Sequence, residues 1–442
     1  MSFESRRATS RLRTVFSNSL ANLVSPLTTL VTGPLLARTL GPDGRGVVAA
    51  LLAPLALANL MFTLGVPDAL TYFVARKRLT GKQAFQIALG GGLICAALAC
   101  SLLTIIAPYL FRTQRQLLFP FRLLLLTLPV TLGFSAIRGI AQGRQQFSLV
   151  NREQTFGALV RLSLLIGLAA IHVLTPLKAV WVTVVSGVAG SMFLLRALWS
   201  GGSTAINNDD AATVARYASF AALGTFGSLI VIRLDQVLMV SLTTHAELAY
   251  YSVAASLAEL PLFMVSAIRD VAFSAAAERD DSKIIARSCR LTIAAIGMMC
   301  IAGCLLTPIA LPVLFGKKFA PAVWMMQVLL LGTLGRAVTT VVGVGLMARG
   351  SAWLRASIQL GGAVITALLL FALVPKWGGM GAAWVTSFTY VVLAAASAIA
   401  YVRSARLSFR ECLVVTASDI RDLRSAVRVN LQLAQQKYFS GI

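Results

Sequence analysis

Charge is what this sequence lacks. Only 12% of its 442 residues are Asp, Glu, Lys or Arg, about half the roughly 25% carried by a soluble domain. So few solvating side chains would leave wide apolar surface against water, which excludes a soluble globular fold. Acids are scarcer than bases, 16 Asp and Glu against 39 Lys and Arg, for a net charge of +23. Histidine occurs twice, at His172 and His245, both at expected span ends. The six cysteines show no CxxC or Cys/His spacing, so neither a metal site nor a disulfide framework is expected. Cys95 and Cys100 share one apolar run and Cys300 and Cys304 another, where a thiol serves as a small hydrophobe. No Gly-rich strand-to-helix phosphate loop, HExxH or nucleophile elbow stands in a suitable context. Catalytic residues, metal and cofactors are therefore not expected, and Gly90-Gly91-Gly92 reads as close helix packing.

What the chain has in quantity is apolar residues, 57% of the total, with a mean hydropathy of +0.81. They gather in runs of about 20 residues or more, enough to cross a hydrocarbon core of roughly 30 Å as a helix. Twelve such runs predict spans at 17–40, 47–75, 84–110, 118–141, 155–174, 178–199, 217–242, 250–275, 290–314, 321–347, 356–375 and 380–402. Gly41-Pro42, Pro176 and Gly378-Gly379 punctuate several boundaries, because these residues end helices readily. The expected fold is an all-α polytopic membrane protein of two six-helix bundles. Residues 1–16 form an N-terminal segment, 17–199 the first bundle, 200–216 a linker, 217–402 the second bundle and 403–442 a tail. The connectors are too short for a soluble catalytic domain.

The excess of bases would point to nucleic acid in a soluble protein. Here it sits in the connectors. Under the twelve-span map, alternate connectors with both termini hold about 25 Lys and Arg, and the opposite connectors hold about nine. The positive-inside rule then places both termini in the cytoplasm, with anionic lipid headgroups, not nucleic acid, as the neighbours of these bases. The first apolar run is too long for a cleavable signal and is expected to be a span. In the tail, Arg421, Arg424 and Arg428 recur at i, i+3, i+7, and Leu423, Val427 and Leu431 at i, i+4, i+8. That spacing suits a basic amphipathic helix on an anionic membrane face, or a loosely ordered basic tail.

The chain also echoes itself. Leu102-Leu103-Thr104-Ile105-Ile106-Ala107-Pro108-Tyr109-Leu110-Phe111 recurs as Leu305-Leu306-Thr307-Pro308-Ile309-Ala310-Leu311-Pro312-Val313-Leu314-Phe315 at an offset of 203 to 204 residues. Ala141-Gln142-Gly143 recurs as Ala348-Arg349-Gly350 at a nearly equal offset. Two echoes of this kind predict two parallel halves, with a cavity between them and rocking of one against the other.

Charges inside the spans are costly unless paired or hydrated, so they mark candidate sites. Arg336 lies near the middle of its span, Arg233 and Asp235 in the outer half of theirs, and Glu259 two residues before Pro261. Asp68, Arg138, Arg161, Arg269 and Asp270 lie nearer the cytoplasmic ends. Arg336, Arg233, Arg161, Arg138 and Arg269 are candidates for binding an anionic group such as a pyrophosphate. Asp235, Glu259, Asp68 and Asp270 are candidates for coupling to protons or cations. Interhelical pairing and snorkelling to headgroups are the other reading.

Several segments carry a family resemblance. Ala37-Arg38-Thr39-Leu40-Gly41-Pro42-Asp43-Gly44-Arg45-Gly46 resembles the "AR-x-LGP-x-x-x-G" connector of polysaccharide flippases. Arg233-Leu234-Asp235-Gln236-Val237 resembles their "R-x-D-x-V", and Tyr250-Tyr251-Ser252-Val253-Ala254 their "YxxA". Val374-Pro375-Lys376-Trp377-Gly378-Gly379-Met380-Gly381-Ala382-Ala383 resembles their "IPxxGxxGAA". These proteins belong to the multidrug/oligosaccharidyl-lipid/polysaccharide (MOP) exporter superfamily, and the type is often called Wzx. The resemblance covers roughly 20–400. It implies a V-shaped two-bundle fold with a central cavity, similar to that of multidrug and toxic-compound extrusion (MATE) transporters and lipid flippases. It implies a non-enzymatic flippase of the bacterial inner membrane that moves undecaprenyl-pyrophosphate-linked oligosaccharide from the cytoplasmic to the periplasmic leaflet. That role serves exopolysaccharide, O-antigen or capsule assembly, with polymerase and export proteins as implied partners. The lipid II flippases carry arginines in the first span, and this chain has none between Arg13 and Arg38, which argues against lipid II as cargo. A MATE-type multidrug/cation antiporter is the alternative. A major-facilitator transporter fits less well, since the connector Ala75-Arg76-Lys77-Arg78-Leu79-Thr80-Gly81-Lys82-Gln83 contains no acid.

Overall fold

The computed structural model describes residues 3–198, 208–265, 282–349 and 351–414. Its long elements are all helices: α1 (Phe3–Met61), α2 (Val66–Ala75), α3 (Gly81–Leu110), α4 (Leu118–Leu125), α5 (Leu128–Gly143), α6 (Phe147–Ala170) and α7 (Pro176–Ser191). They continue with α8 (Asn208–Leu242), α9 (His245–Ala258), α10 (Ser282–Phe315), α11 (Ala322–Ala348), α12 (Ala352–Ala405) and the short α13 (Phe409–Leu413). The basic tail beyond 414, Arg269 and Asp270 lie outside the described residues.

Local chemistry sets the helix ends. The Thr80 hydroxyl accepts the Gln83 N–H at 3.4 Å while Gln83 Oε1 accepts the Thr80 N–H at 2.9 Å, a reciprocal cap at the start of α3. The Thr175 hydroxyl caps α7 by accepting the Lys178 N–H at 3.3 Å. Long helices break where the sequence placed its Gly-Pro and Gly-Gly pairs. Gly41 interrupts α1 at φ 69°, and Gly378 interrupts α12 at φ 54°, a region open to glycine at little cost. The apolar stretch Trp353–Ala405 is 53 residues long. Unbroken at 1.5 Å per residue it would measure about 80 Å, more than twice the roughly 30 Å of a hydrocarbon core. Gly378 therefore divides it.

Three predicted spans are not continuous, one of them 250–275, where α9 ends at Ala258 and a turn follows at 259–261. The stretch 47–75 turns at 62–65, where Leu64 and Gly65 take φ of 44° and 71°. The stretch 118–141 bends by 45° between α4 and α5. Pro67 and Pro129 lie at the second positions of the second segments, in the first turn, where a missing N–H costs nothing but a helix cannot be continued from before. Among the described residues seven helices are long and apolar enough to cross a membrane, or eight if the bent pair is one span.

The chain forms two compact units, Met1–Ser252 with Pro312–Phe319, and Val253–Leu311 with Ala320–Ile442. In the first, α1 packs on α6, α7 and α8, while α5 packs on α2 and α3. In the second, α11 packs along α12. Gly332 lies so close to Ser387 that a Cβ would stand 2.6 Å from its Cα, and the Ser387 hydroxyl donates to the Val328 carbonyl at 2.7 Å. Such small-residue contacts are how helices associate when lipid is as apolar as leucine.

The internal echo has a structural counterpart. Leu102, Ile105 and Tyr109 on α3 are exposed, as are Leu305, Ile309 and Val313 on α10, while Ala107 and Phe111 are buried like Leu311 and Phe315. Cys100 Sγ lies 3.3 Å from the Leu125 carbonyl, and Cys304 Sγ lies 3.9 Å from the Gln327 carbonyl. Each repeat turns the same apolar row outward. Rows of that kind suit lipid and not water, which makes this a multi-pass membrane protein.

Candidate functional site

A cavity of about 400 Å³ opens in the first unit between α1, α5, α6 and α7. Its position follows from the crossing of α6 with α7. Gly157 and Gly190 face each other there, and a Cβ on Gly190 would stand 2.5 Å from the Glu153 carbonyl oxygen. Only glycine allows that approach, and the approach brings the Ser191 hydroxyl to Glu153, to which it donates at 3.1 Å. Arg138, on α5, grips the same carboxylate with two bonds, the first from Nε to Oε2 at 2.9 Å. Glu153 is 4% exposed, whereas the Arg138 side chain is 39% exposed. The acid is thus fixed in the wall while its arginine borders the open space.

Arg161 lies about two turns further along α6. Its Nη2 donates to the hydroxyls of Thr28 at 3.4 Å and Thr29 at 3.3 Å, both on α1. Its Nε is buried with no hydrogen-bond partner among the described residues. No acid pairs with it there. The remaining wall is rich in hydroxyls and amides, from Asn59, Thr63, Thr131, Ser135, Gln154, Thr183 and Ser186, and Thr131 donates to Asn59 Oδ1 at 2.6 Å. Two guanidinium groups and one carboxylate leave the cavity with one uncompensated positive charge. Its chemistry suits an oxyanion joined to a hydroxylated body.

The other candidates fall elsewhere. Arg336 on α11 pairs with Glu259 at 2.8 Å and lies 5.6 Å from the ring centre of Tyr390, all within the second unit. Glu259 stands in the turn after α9, which Pro261 ends, and the Thr333 hydroxyl donates to the Ala258 carbonyl at 3.0 Å. Asp235, 3% exposed on α8, accepts the Tyr251 phenol and the Gln236 N–H. Arg233 is half-buried on the same helix, and Asp68 is exposed in the first turn of α2, a favourable end for an acid. Of the predicted residues, Arg138 and Arg161 alone meet in the described cavity. Glu153 is the residue that sequence reasoning missed. It falls in the expected connector 142–154, but α6 already begins at Phe147.

The motif residues around Gly41 are architectural. Arg38 donates to the Leu314 carbonyl at 2.9 Å and to the Val313 carbonyl, and Gly46 lies against the His245 backbone, where a Cβ would overlap the carbonyl oxygen.

Solved structures share this arrangement of helices. A lipid II flippase MurJ in an inward closed conformation aligns with TM-score 0.72 at 10% identity, covering 88% of this chain and 90% of that one. An inward-facing multidrug resistance MATE family transporter of the MOP superfamily aligns at 0.67 and 15%, covering 87% and 97%. A MATE transporter of Vibrio cholerae aligns at 0.59 and 13%, covering 90% and 98%. The fold is therefore that of the MOP-superfamily transporters. No curated protein matches the sequence, but the sequence profile of the polysaccharide biosynthesis proteins matches residues 35–324. The chain belongs to that family.

Proposed function

We propose that this protein is a flippase carrying an undecaprenyl-pyrophosphate-linked oligosaccharide from the cytoplasmic to the periplasmic leaflet of a bacterial inner membrane. The observation that carries the reading is Arg161, a half-buried cation whose buried Nε is an unfilled donor at a hydroxyl-lined cavity. A phosphate oxygen would complete its fork, and the surrounding hydroxyls and amides match the hydrogen-bonding of sugar rings. The cavity is of ligand-binding size, at the low end of the roughly 300–1,000 Å³ usual for such sites, so it takes the part of the headgroup next to the lipid. The prenyl chain stays in the bilayer. Alternating access then exposes the headgroup to each leaflet in turn. Catalysis has no part in this cycle. The acids Glu259 and Asp235, each held by a named donor, are the places where ion coupling would act. Surface-polysaccharide polymerases and export proteins would receive the product.

The test is complementation of a strain lacking its own flippase. Arg161→Ala should abolish polysaccharide export at unchanged membrane abundance, and Arg161→Lys should retain part of it. Accumulation of lipid-linked sugar in the cytoplasmic leaflet should accompany the loss. Full export by the alanine variant would dismiss the reading.

A further inference from the structure

Glu153 poses a question that the binding of an anion leaves open. A cavity for anionic cargo contains a buried carboxylate, and that carboxylate holds one of the cavity's two arginines with a pair of bonds. We propose that Glu153 is a positioning residue acting through Arg138. It serves as a built-in competitor that withholds Arg138 in the empty cavity and takes it back when cargo leaves. This inference rests on the headgroup reading of the cavity.

The geometry supports exchange over permanent locking. Glu153 is fixed, being 4% exposed and tied also to Ser191. Arg138 has a 39% exposed side chain that borders the cavity, so it can reach an entering anion while the acid stays in place. When Arg138 turns to a phosphate, Glu153 is left buried with Ser191 as its remaining donor in this cluster. An unpaired buried charge is costly, and that cost is recovered when Arg138 returns. The pull toward re-pairing weakens the hold on cargo. Two free arginines would grip a diphosphate with two charge-assisted forks, and tight binding of that kind slows release. A transporter has to let go.

The experiment uses the full-length purified protein in phosphatidylcholine nanodiscs, with farnesyl diphosphate as the probe. Glu153→Gln keeps the shape and removes the competing charge. It should bind the probe about tenfold more tightly and release it more slowly, while export in the complementation strain falls. A residue with a merely structural role would lower thermal stability and leave affinity unmoved or weaker. Either of those affinity results in a folded Glu153→Gln protein overturns the proposal. Should that variant fail to fold, Ser191→Ala removes the donor left to Glu153 once Arg138 has turned away, which strengthens the pull toward re-pairing and should weaken binding about threefold. Unchanged affinity there overturns it equally. Arg161→Gln is measured in parallel. If it loses the probe while Glu153→Gln is unchanged, only the competitor idea fails. If Arg161→Gln binds as the parent does, the headgroup reading of the cavity has failed instead.

Discussion

Three arginines within the described spans meet different surroundings. Arg138 pairs with a buried acid and Arg336 with Glu259, whereas Arg161 donates to two hydroxyls and keeps its charge uncompensated. Because the Arg336 and Glu259 side chains are 21% and 28% exposed, water screens part of their attraction. Arg336→Ala and Glu259→Ala should therefore each destabilise the second unit by about 1–3 kcal/mol. The double variant should lose less than the sum, read by thermal melting of the purified protein. Strict additivity would mean the pair contributes nothing. Tyr251→Phe removes the phenol from Asp235 and leaves a buried carboxylate short of a donor, an expected loss of about 1–3 kcal/mol, read the same way. At this scale the sequence announced its cations, since an arginine inside an apolar run stands out by cost alone. It also announced Glu259, the acid of Arg336, but not the acid of Arg138. Glu153 sits among the bases Arg144 and Arg152, where it looked like one more connector charge. Tyr251 carries no charge to flag it.

Helices in this protein meet through glycine and break at glycine, and the two uses have different penalties. Gly190→Ala places a methyl 2.5 Å from the Glu153 carbonyl, which forces α6 and α7 apart. Overpacking of that kind costs about 1–3 kcal/mol. Since the same crossing brings Ser191 to Glu153, the variant should also change farnesyl diphosphate affinity, whereas Gly167→Ala, with open space around its Cα, should change neither. Gly378→Ala puts a side chain at φ 54°, at a cost of about 1–2 kcal/mol, and should lower membrane abundance without altering the cavity. The breaks at Gly41 and Gly378 were legible because each lies in a Gly-Pro or Gly-Gly pair between long apolar runs. The turn at 62–65 was not. Its residues Phe62-Thr63-Leu64-Gly65 keep the apolar run going, and hydropathy measures length without detecting a reversal of φ.

For the whole molecule, the count of bases predicts an orientation that labelling can test. In a background with the six cysteines replaced, Lys77→Cys should react with a membrane-impermeant maleimide only from the cytoplasmic side. Lys317→Cys should react only from the outside. Labelling of both from one side would reverse or break the twelve-span map. Composition alone determined that the chain lives in a bilayer, because a 12% charged sequence has too few polar side chains to cover itself in water. The period of apolar runs fixed the helical class, and α3 and α10, which carry the echo at 203 to 204 residues, turn matching apolar rows outward. Tertiary structure alone decided where chemistry gathers. Arg138 and Arg161 are 23 positions apart, and Thr28 and Thr29 lie more than 100 positions before them. They meet because α1 and α5 both pack on α6, and a contact between distant helices leaves no periodic trace in either sequence segment. The charge that matters is then set by packing, since Glu153 cancels one arginine and the fold leaves the other uncompensated.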